Sequence, residues 1–321
     1  MRTRLEHHGE SRRLDAMLAE HMAEFSREEL KEAIREGYVR VEGRTVYKPR
    51  FALESGDCVD IDIARFKKSF FQTPTPRGDA LRDKVEVLSC YPDFLVVNKP
   101  AGLLVHRTHN PHEVSLVEIL TEWYPEIQGV GESEGIQDRS SIVHRLDKDT
   151  SGILVVARTT RGYRQLKHKF QNRTVDKTYI AIVRGTMNEE RGVISARVAR
   201  SKTDHTRRVI VTDQTSKRHY SGVPREAHTE YEVLQYGTVR DTEVTKIRVW
   251  LYTGRTHQIR LHCKHLGHPL LGDKMYGGKW EKHHSSETRH LLHAESLSFE
   301  YQGERYDFSS EPPAEMELDH L

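Results

Sequence analysis

The chain has 321 residues, of which 31% are charged and 36% hydrophobic, with a formal net charge of +2 and three cysteines, Cys58, Cys90 and Cys263. That length allows a large domain and a small one, and the absence of any apolar run near the roughly 20 residues a membrane helix requires excludes an ordinary helical membrane protein. Widely spaced cysteines in odd number, and a beginning MRTRLEHHGE without the apolar stretch of a secretory signal, imply a reducing, cytoplasmic protein without structural disulfides.

In chain order, Leu14, Met17, Leu18 and Met22 recur at helical spacing after Ser11, and a second helix opens on Ser26 with its capping-box partner Glu29. The core face of that helix is Leu30, Ala33 and Ile34, and Gly37 supplies its stop. Strands are expected at 38–41, followed by a turn at Glu42-Gly43, and at 59–61 after the approach LESGD. Between Phe70 and Arg82 the composition shifts to QTPTPRGDALR, where Pro74 and Pro76 exclude regular helix, so a linker is placed at 69–83. Beyond it, strands and helices mix without regular alternation, beginning with a buried strand at 94–98, which argues for an α+β domain.

Charge is unevenly distributed. Residues 1–68 balance at fourteen basic against fourteen acidic, 158–177 carry seven Lys or Arg against Asp176 alone, and 197–218 carry seven against Asp204 and Asp213. Two basic stretches in one domain suit a surface that tracks phosphates. The end of the chain, SSEPPAEMELDHL, is acidic and reads as a tail over 311–321.

The run most informative about chemistry is Ile142-Val143-His144-Arg145-Leu146-Asp147-Lys148-Asp149-Thr150-Ser151-Gly152, followed by the apolar strand 153–157. Strand, polar loop, strand is its simplest reading, and an extended 143–147 would put Arg145 and Asp147 on one side, opposite Leu146. Further on, His257, His262, Cys263, His265 and His268 fall within twelve residues, but His257 and His265 would lie roughly 80° apart on a helix and no metal-ligand pattern is present. His262 and Cys263 are instead expected to face the core with Ile259 and Leu266. Phosphate-binding glycine loops and dinucleotide fingerprints are absent, so neither a nucleotide cofactor nor a metal is expected.

HRLDKDTSG resembles the signature of the RluA-type pseudouridine synthases, and further family motifs occur in order around it: LVVNKPAGLLVH, DKTYIAIVRG, LYTGRTHQIRLH, GDKMYG and RHLLHA. The stretch RRLDAMLAEHMAEFSREELKEAIREGYVRVEGRTVYKP, with Gly56-Asp57, resembles the small RNA-binding domain of the ribosomal protein S-four type. Together these imply an α+β fold, a mixed and largely antiparallel sheet flanked by helices and loops at 84–310, preceded by a small α+β RNA-binding domain at 1–68. The activity implied is isomerisation of uridine to pseudouridine in structured RNA, with large-subunit ribosomal RNA as substrate. Transfer RNA, or an inactive RNA-binding assembly factor, are the alternatives.

Carried over residue by residue, the resemblance makes Asp147 the catalytic carboxylate, Arg260 the guanidinium that keeps it ionised, and Tyr179 the tyrosine that packs against uracil and helps remove the proton from its C5. Arg145 would fill the gap left by the extruded base. His144, Thr150, Arg255, His257, Gln258 and Lys99 are further substrate or RNA contacts within the matching motifs. In the small domain Arg27 and Lys31, with Arg12, Arg13, Arg35, Arg40 and Lys48, would meet RNA, although Glu28, Glu29, Glu32 and Glu36 share the second helix.

Overall fold

The structure, a computed structural model, describes residues 2–22, 25, 27–63, 81–107, 113–131, 141–239, 241–279 and 287–320. The chain divides into two compact units, Met1–Gly78 with Arg107–Glu113, and Asp79–His106 with Val114–Leu321. Ser26 and residues 69–80 of the expected linker lie outside the described residues.

The small unit is built from β1 (Arg2–Glu6), β2 (Arg12–Arg13), α1 (Leu14–His21), α2 (Arg27–Arg35), β3 (Val39–Val41), β4 (Arg44–Thr45), β5 (Ala52–Leu53) and β6 (Cys58–Asp62). A four-stranded sheet runs in the order β1-β6-β3-β4 and a second, two-stranded one pairs β2 with β5. Leu14, Met17 and Leu18 of α1 meet Leu30, Ala33 and Ile34 of α2, with Val39, Leu53, Val59 and Ile61 from the strands, so the helical spacing forms one core. Arg13 occupies the N-cap of α1, and Arg12 and Arg13 are paired as a strand just ahead of it. The side chains of Arg13 and Arg27, two of the expected RNA contacts, converge on the buried carboxylate of Asp15 at 2.8–3.1 Å. Burial would raise the Asp15 pKa, but these two guanidinium groups hold it below the ordinary value. Arg12 pairs with Glu20.

In the larger unit the strands are β7 (Glu86–Cys90), β8 (Phe94–Lys99), β9 (Ser151–Ala157), β10 (Val175–Arg184), β11 (Arg191–Ser201), β12 (Arg208–Val211), β13 (Tyr220–Val239), β14 (Thr242–Leu251), β15 (Leu292–Tyr301), β16 (Glu304–Ser309) and β17 (Asp319–His320). The helices are α3 (Leu116–Trp123), α4 (Thr160–Asn172) and α5 (Gln258–His265). All the strands join one sheet in the order β12-β11-β13-β14-β10-β15-β9-β8-β7, with β16 on β15 and β17 on β13. Every pairing is antiparallel except β15 with β9.

The central strands are apolar without alternation because both faces are covered. On β10, Tyr179, Ala181 and Val183 enter one core cluster while Ile180 and Ile182 enter another behind the sheet. On β9, Leu154 and Val156 face the first cluster, and Ile153, Val155 and Ala157 face a third that contains Phe94, Leu166 and Phe299. The parallel contact of β9 with β15 needs Gly152, with φ +113°, because a Cβ there would stand 2.3 Å from the Ala294 carbonyl oxygen.

Two boundaries differ from expectation. Leu81 packs against the main core, so the larger unit starts before residue 84. The acidic segment 311–321 is no loose tail: Met316 is fully buried and Leu318 nearly so among Ile180, Ile182, Val244, Leu271 and Leu291, and Asp319–His320 pairs with β13. Composition registers its carboxylates, whereas its place in the fold is decided by two apolar side chains.

Candidate active site

The segment preceding β9 is irregular where an extended strand was expected, with only an isolated bridge between Ile142 and Val156. Leu146 is nevertheless buried in the main core while Arg145 is exposed and Asp147 half-buried. Lys99, one of the expected RNA contacts, holds this loop from beneath. Its fully buried ammonium donates to the carbonyls of Pro100, Leu103 and Lys148 at 2.8–2.9 Å, one for each of its hydrogens. Burial draws its pKa down to about 7, against the pull of Asp149 and Asp147. Thr150 is also buried, its hydroxyl 2.9 Å from His290 Nε2, and Arg289 donates to the Asp149, His290 and Leu292 carbonyls. Lys99 thus supports the loop from a fully buried position, while Thr150 both braces the loop and lines the cavity around Asp147.

Arg260 reaches Asp147 from α5. Its Nη1 lies 3.1 Å from Asp147 Oδ2, while Nε and Nη2 form a bidentate pair with Asp273 at 2.7 and 2.9 Å. Asp273 is 1% exposed and accepts two further backbone amides, from Met275 and Tyr276. The Gly272 turn that delivers it has φ +78°, and a Cβ would lie 1.9 Å from the Arg289 carbonyl oxygen. Burial opposes charge on all three groups. Arg260 and Asp273 overcome it through each other, leaving the guanidinium pKa raised and the Asp273 carboxyl lowered. The Asp147 carboxyl is likewise held below its ordinary value, burial being outweighed by His257 and by the permanent charge of Arg260.

Around Asp147 opens a cavity of about 550 Å³. Tyr179 lines it from β10, at a point where the pairing with β15 shifts register between Thr178 and Tyr179. Its phenol pKa is raised by burial and then by the neighbouring Asp147 charge, so the hydroxyl stays protonated. Lys167, Arg173, Lys177 and Arg255 line the same cavity, drawing three members of the basic stretch 158–177 into one wall. His144 stacks on Phe170 with ring centroids 4.2 Å apart and accepts the Val155 amide at 2.9 Å, and burial pushes its pKa down to about 3. It is therefore neutral. Gln258 lines the cavity yet is spent on the fold, accepting from Thr253 Oγ1 and the Arg255 amide and donating to the His228 carbonyl and Thr229 Oγ1. Arg145 extends along the rim, 3.4 Å from His106 Nε2. Arg27 and Lys31 belong to the other unit.

Of the histidine cluster, His262 and Cys263 face the core as expected, but Leu266 is 38% exposed because the helix ends at His265 and its face ends with it. No group of three or more His, Cys, Asp or Glu side chains able to hold a metal ion occurs among the described residues.

The RNA pseudouridylate synthase family model matches residues 93–265, more than half of the chain, and the S4 domain model matches residues 12–59. The chain belongs to the RNA pseudouridylate synthase family. It is 35% identical over 316 residues to ribosomal large subunit pseudouridine synthase D of Zymomonas mobilis subsp. mobilis, covering 95% of this chain and 92% of that one. The protein of the same name in Yersinia pestis is 35% identical over 269 residues, covering 83% and 73%. Among solved structures, human RNA pseudouridylate synthase domain containing 1 superposes with a TM-score of 0.59 at 28% identity, covering 72% of this chain and 84% of that one.

As a pseudouridine synthase the protein is an isomerase, and its α+β fold with an S4 domain at the start is that expected from the motifs. Three residues of the site went unremarked in the sequence: Asp273, Tyr276 and His290. GDKMYG and RHLLHA both flagged their positions, but an aspartate after glycine reads as turn chemistry until Arg260 is seen beside it.

Proposed function

We propose that this pseudouridine synthase acts on large-subunit ribosomal RNA, with Asp147 as its reacting carboxylate. The substrate named in the matching synthases of Zymomonas mobilis and Yersinia pestis supports the choice of RNA. The observation that carries the choice of carboxylate is the chain Asp147–Arg260–Asp273: a buried guanidinium fixed by one aspartate offers its remaining edge to another that faces a nucleotide-sized cavity. With ribosomal RNA as substrate, its place of action is the cytoplasm.

The reaction breaks the bond from the ribose anomeric carbon to N1 of uracil and makes one to C5. C5 gives up its hydrogen and N1 gains one, so no electrons or water are consumed. A carboxylate held ionised meets the positive charge that develops on the sugar as the first bond breaks, and Arg260 keeps Asp147 in that state. Tyr179, protonated and fixed on the central strand, packs against the detached uracil and can donate a hydrogen bond to it. The base must leave its helix to reach Asp147, and Arg145 on the rim takes its place in the stack. Lys167, Arg173, Lys177 and Arg255 hold the flanking phosphates, while Arg27, Lys31 and their neighbours give the S4 domain its own grip. Neither nucleotide nor metal is required.

The test is tritium release to water from unmodified large-subunit ribosomal RNA and from transfer RNA, each carrying tritium at C5 of uridine, without added metal or nucleotide. Release from ribosomal RNA alone supports the proposal. Release from transfer RNA alone would overturn the substrate, and tight binding of both without release would overturn catalysis.

A further inference from the structure

The two oxygens of Asp147 have different neighbours. Oδ2 takes the hydrogen bond from Arg260, whereas Oδ1 faces His257 Nε2 at 3.8 Å, beyond hydrogen-bond distance. His257 precedes α5 with φ +58°, a left-handed backbone that few residues other than glycine adopt. Its Nδ1 lies 2.7 Å from the hydroxyl of Tyr276, a side chain 4% exposed. That hydroxyl already accepts the Arg208 amide at 2.9 Å, which leaves its own hydrogen for His257 Nδ1. A neutral imidazole carries one proton, so with Nδ1 accepting, the proton sits on Nε2 and faces Asp147.

We infer that His257 is a positioning residue for Asp147: its Nε2–H, aimed by Tyr276, fixes the plane of the carboxylate and leaves Oδ1 as the oxygen that reacts. The inference rests on the reading of Asp147 as the reacting carboxylate. A full hydrogen bond to Oδ1 would have to break before that oxygen could act, while a dipole at 3.8 Å orients it and leaves it open. Backbone strain of this kind is maintained where surrounding contacts over-determine it, and here they do so for a side chain lining the cavity.

The charges around the ring give the inference a pH signature. Burial, Arg260 and Arg208 disfavour the imidazolium and Asp147 and Asp273 favour it, with the net effect of lowering the His257 pKa. Tyr276, which meets the ring through its hydroxyl, has its phenol pKa raised by burial and stays neutral. Protonation would convert the open contact into an ion pair that ties up Oδ1, so the rate should fall as pH drops below the ordinary histidine range.

The experiment measures single-turnover tritium release and RNA affinity for the full-length protein, using whichever of the two RNAs the wild type converts. His257→Ala should slow release about 10²-fold while leaving affinity within about twofold. His257→Gln, whose amide nitrogen can stand where Nε2 stood, should recover to within about tenfold of wild type and lose the acid limb due to His257. Tyr276→Phe should slow release about tenfold, and the double variant should be no slower than His257→Ala alone. Weakened affinity with an unchanged saturating rate would overturn the inference in favour of an RNA contact. So would a Gln variant as slow as Ala with the acid limb intact. An active Asp147→Asn enzyme would overturn the Asp147 reading itself, which the His257 variants alone would not do.

Discussion

Replacing Asp273 with Asn tests whether Arg260 is held from behind. The asparagine keeps the size of the side chain, and its oxygen can stay where Oδ1 accepts Arg260 Nη2 and the Met275 and Tyr276 amides. Its NH2 then replaces Oδ2 and confronts Arg260 Nε, 2.7 Å away, donor against donor. Breaking a buried ion pair from one side costs about 3–5 kcal/mol, and because Arg260 retains Asp147 the lower end, about 3 kcal/mol, is expected. For a domain of this size that corresponds to a Tm lower by about 6–12 °C. The guanidinium, now balanced only by Asp147, would close on it, and tritium release at a temperature where both proteins are folded should slow about 10²-fold. Linkage adds a second signature. The folded Asp273 pKa lies below 3.8, so its contribution is fully present above 3.8 and is lost as pH falls through the lower folded value. Thermal unfolding across pH 2–7 should therefore show a shallower acid loss in the variant. A Tm within about 2 °C of wild type, together with release within about twofold, would refute the reasoning.

Other substitutions separate support from contact. Lys99→Met should strand the carbonyls of Pro100, Leu103 and Lys148, costing about 3 kcal/mol, or about 6–12 °C in Tm, with RNA affinity unchanged; weakened affinity at an unchanged Tm would restore Lys99 as an RNA contact. Gly152→Ala sets a methyl 2.3 Å from the Ala294 oxygen at φ +113°, so folded protein should not accumulate, and a normal yield with native circular dichroism would contradict the packing. Alanine at Arg173 or Lys177 should each reduce the slope of log affinity against log salt by about 0.7, the value for one single-strand phosphate, and an unchanged slope would remove that residue from the phosphate-binding wall.

Much of the fold was legible in the sequence because its signals are local. Helical spacing located α1 and α2, and unbroken apolar runs marked β8 and β9 as strands, which the fold covers on both faces. The stretch 143–147 reads as extended from its local sequence alone, and it is irregular. What shapes the loop bearing Asp147 is Lys99, 48 residues earlier, and Arg289, far later, whose hydrogen bonds to its carbonyls no local pattern records. Asp273 was hidden for a different reason: its importance comes from a pairing across thirteen residues and a glycine turn, visible only once Arg260 is seen turned inward from α5. Met316 and Leu318 illustrate the opposite failure, where composition spoke for the whole segment and two side chains decided otherwise.

The most direct measurement is single-turnover tritium release by the wild type and by Asp147→Asn, with the RNA affinity and Tm of both measured in parallel. Asparagine keeps the shape and can still accept from Arg260 Nη1 through its oxygen, but it removes the charge and the reacting carboxylate. The expected result is release by the wild type and none by the variant, with affinity and folding retained. Release by the variant at a rate near wild type would contradict the assignment of Asp147 and, with it, the role given to the Arg260–Asp273 pair behind it.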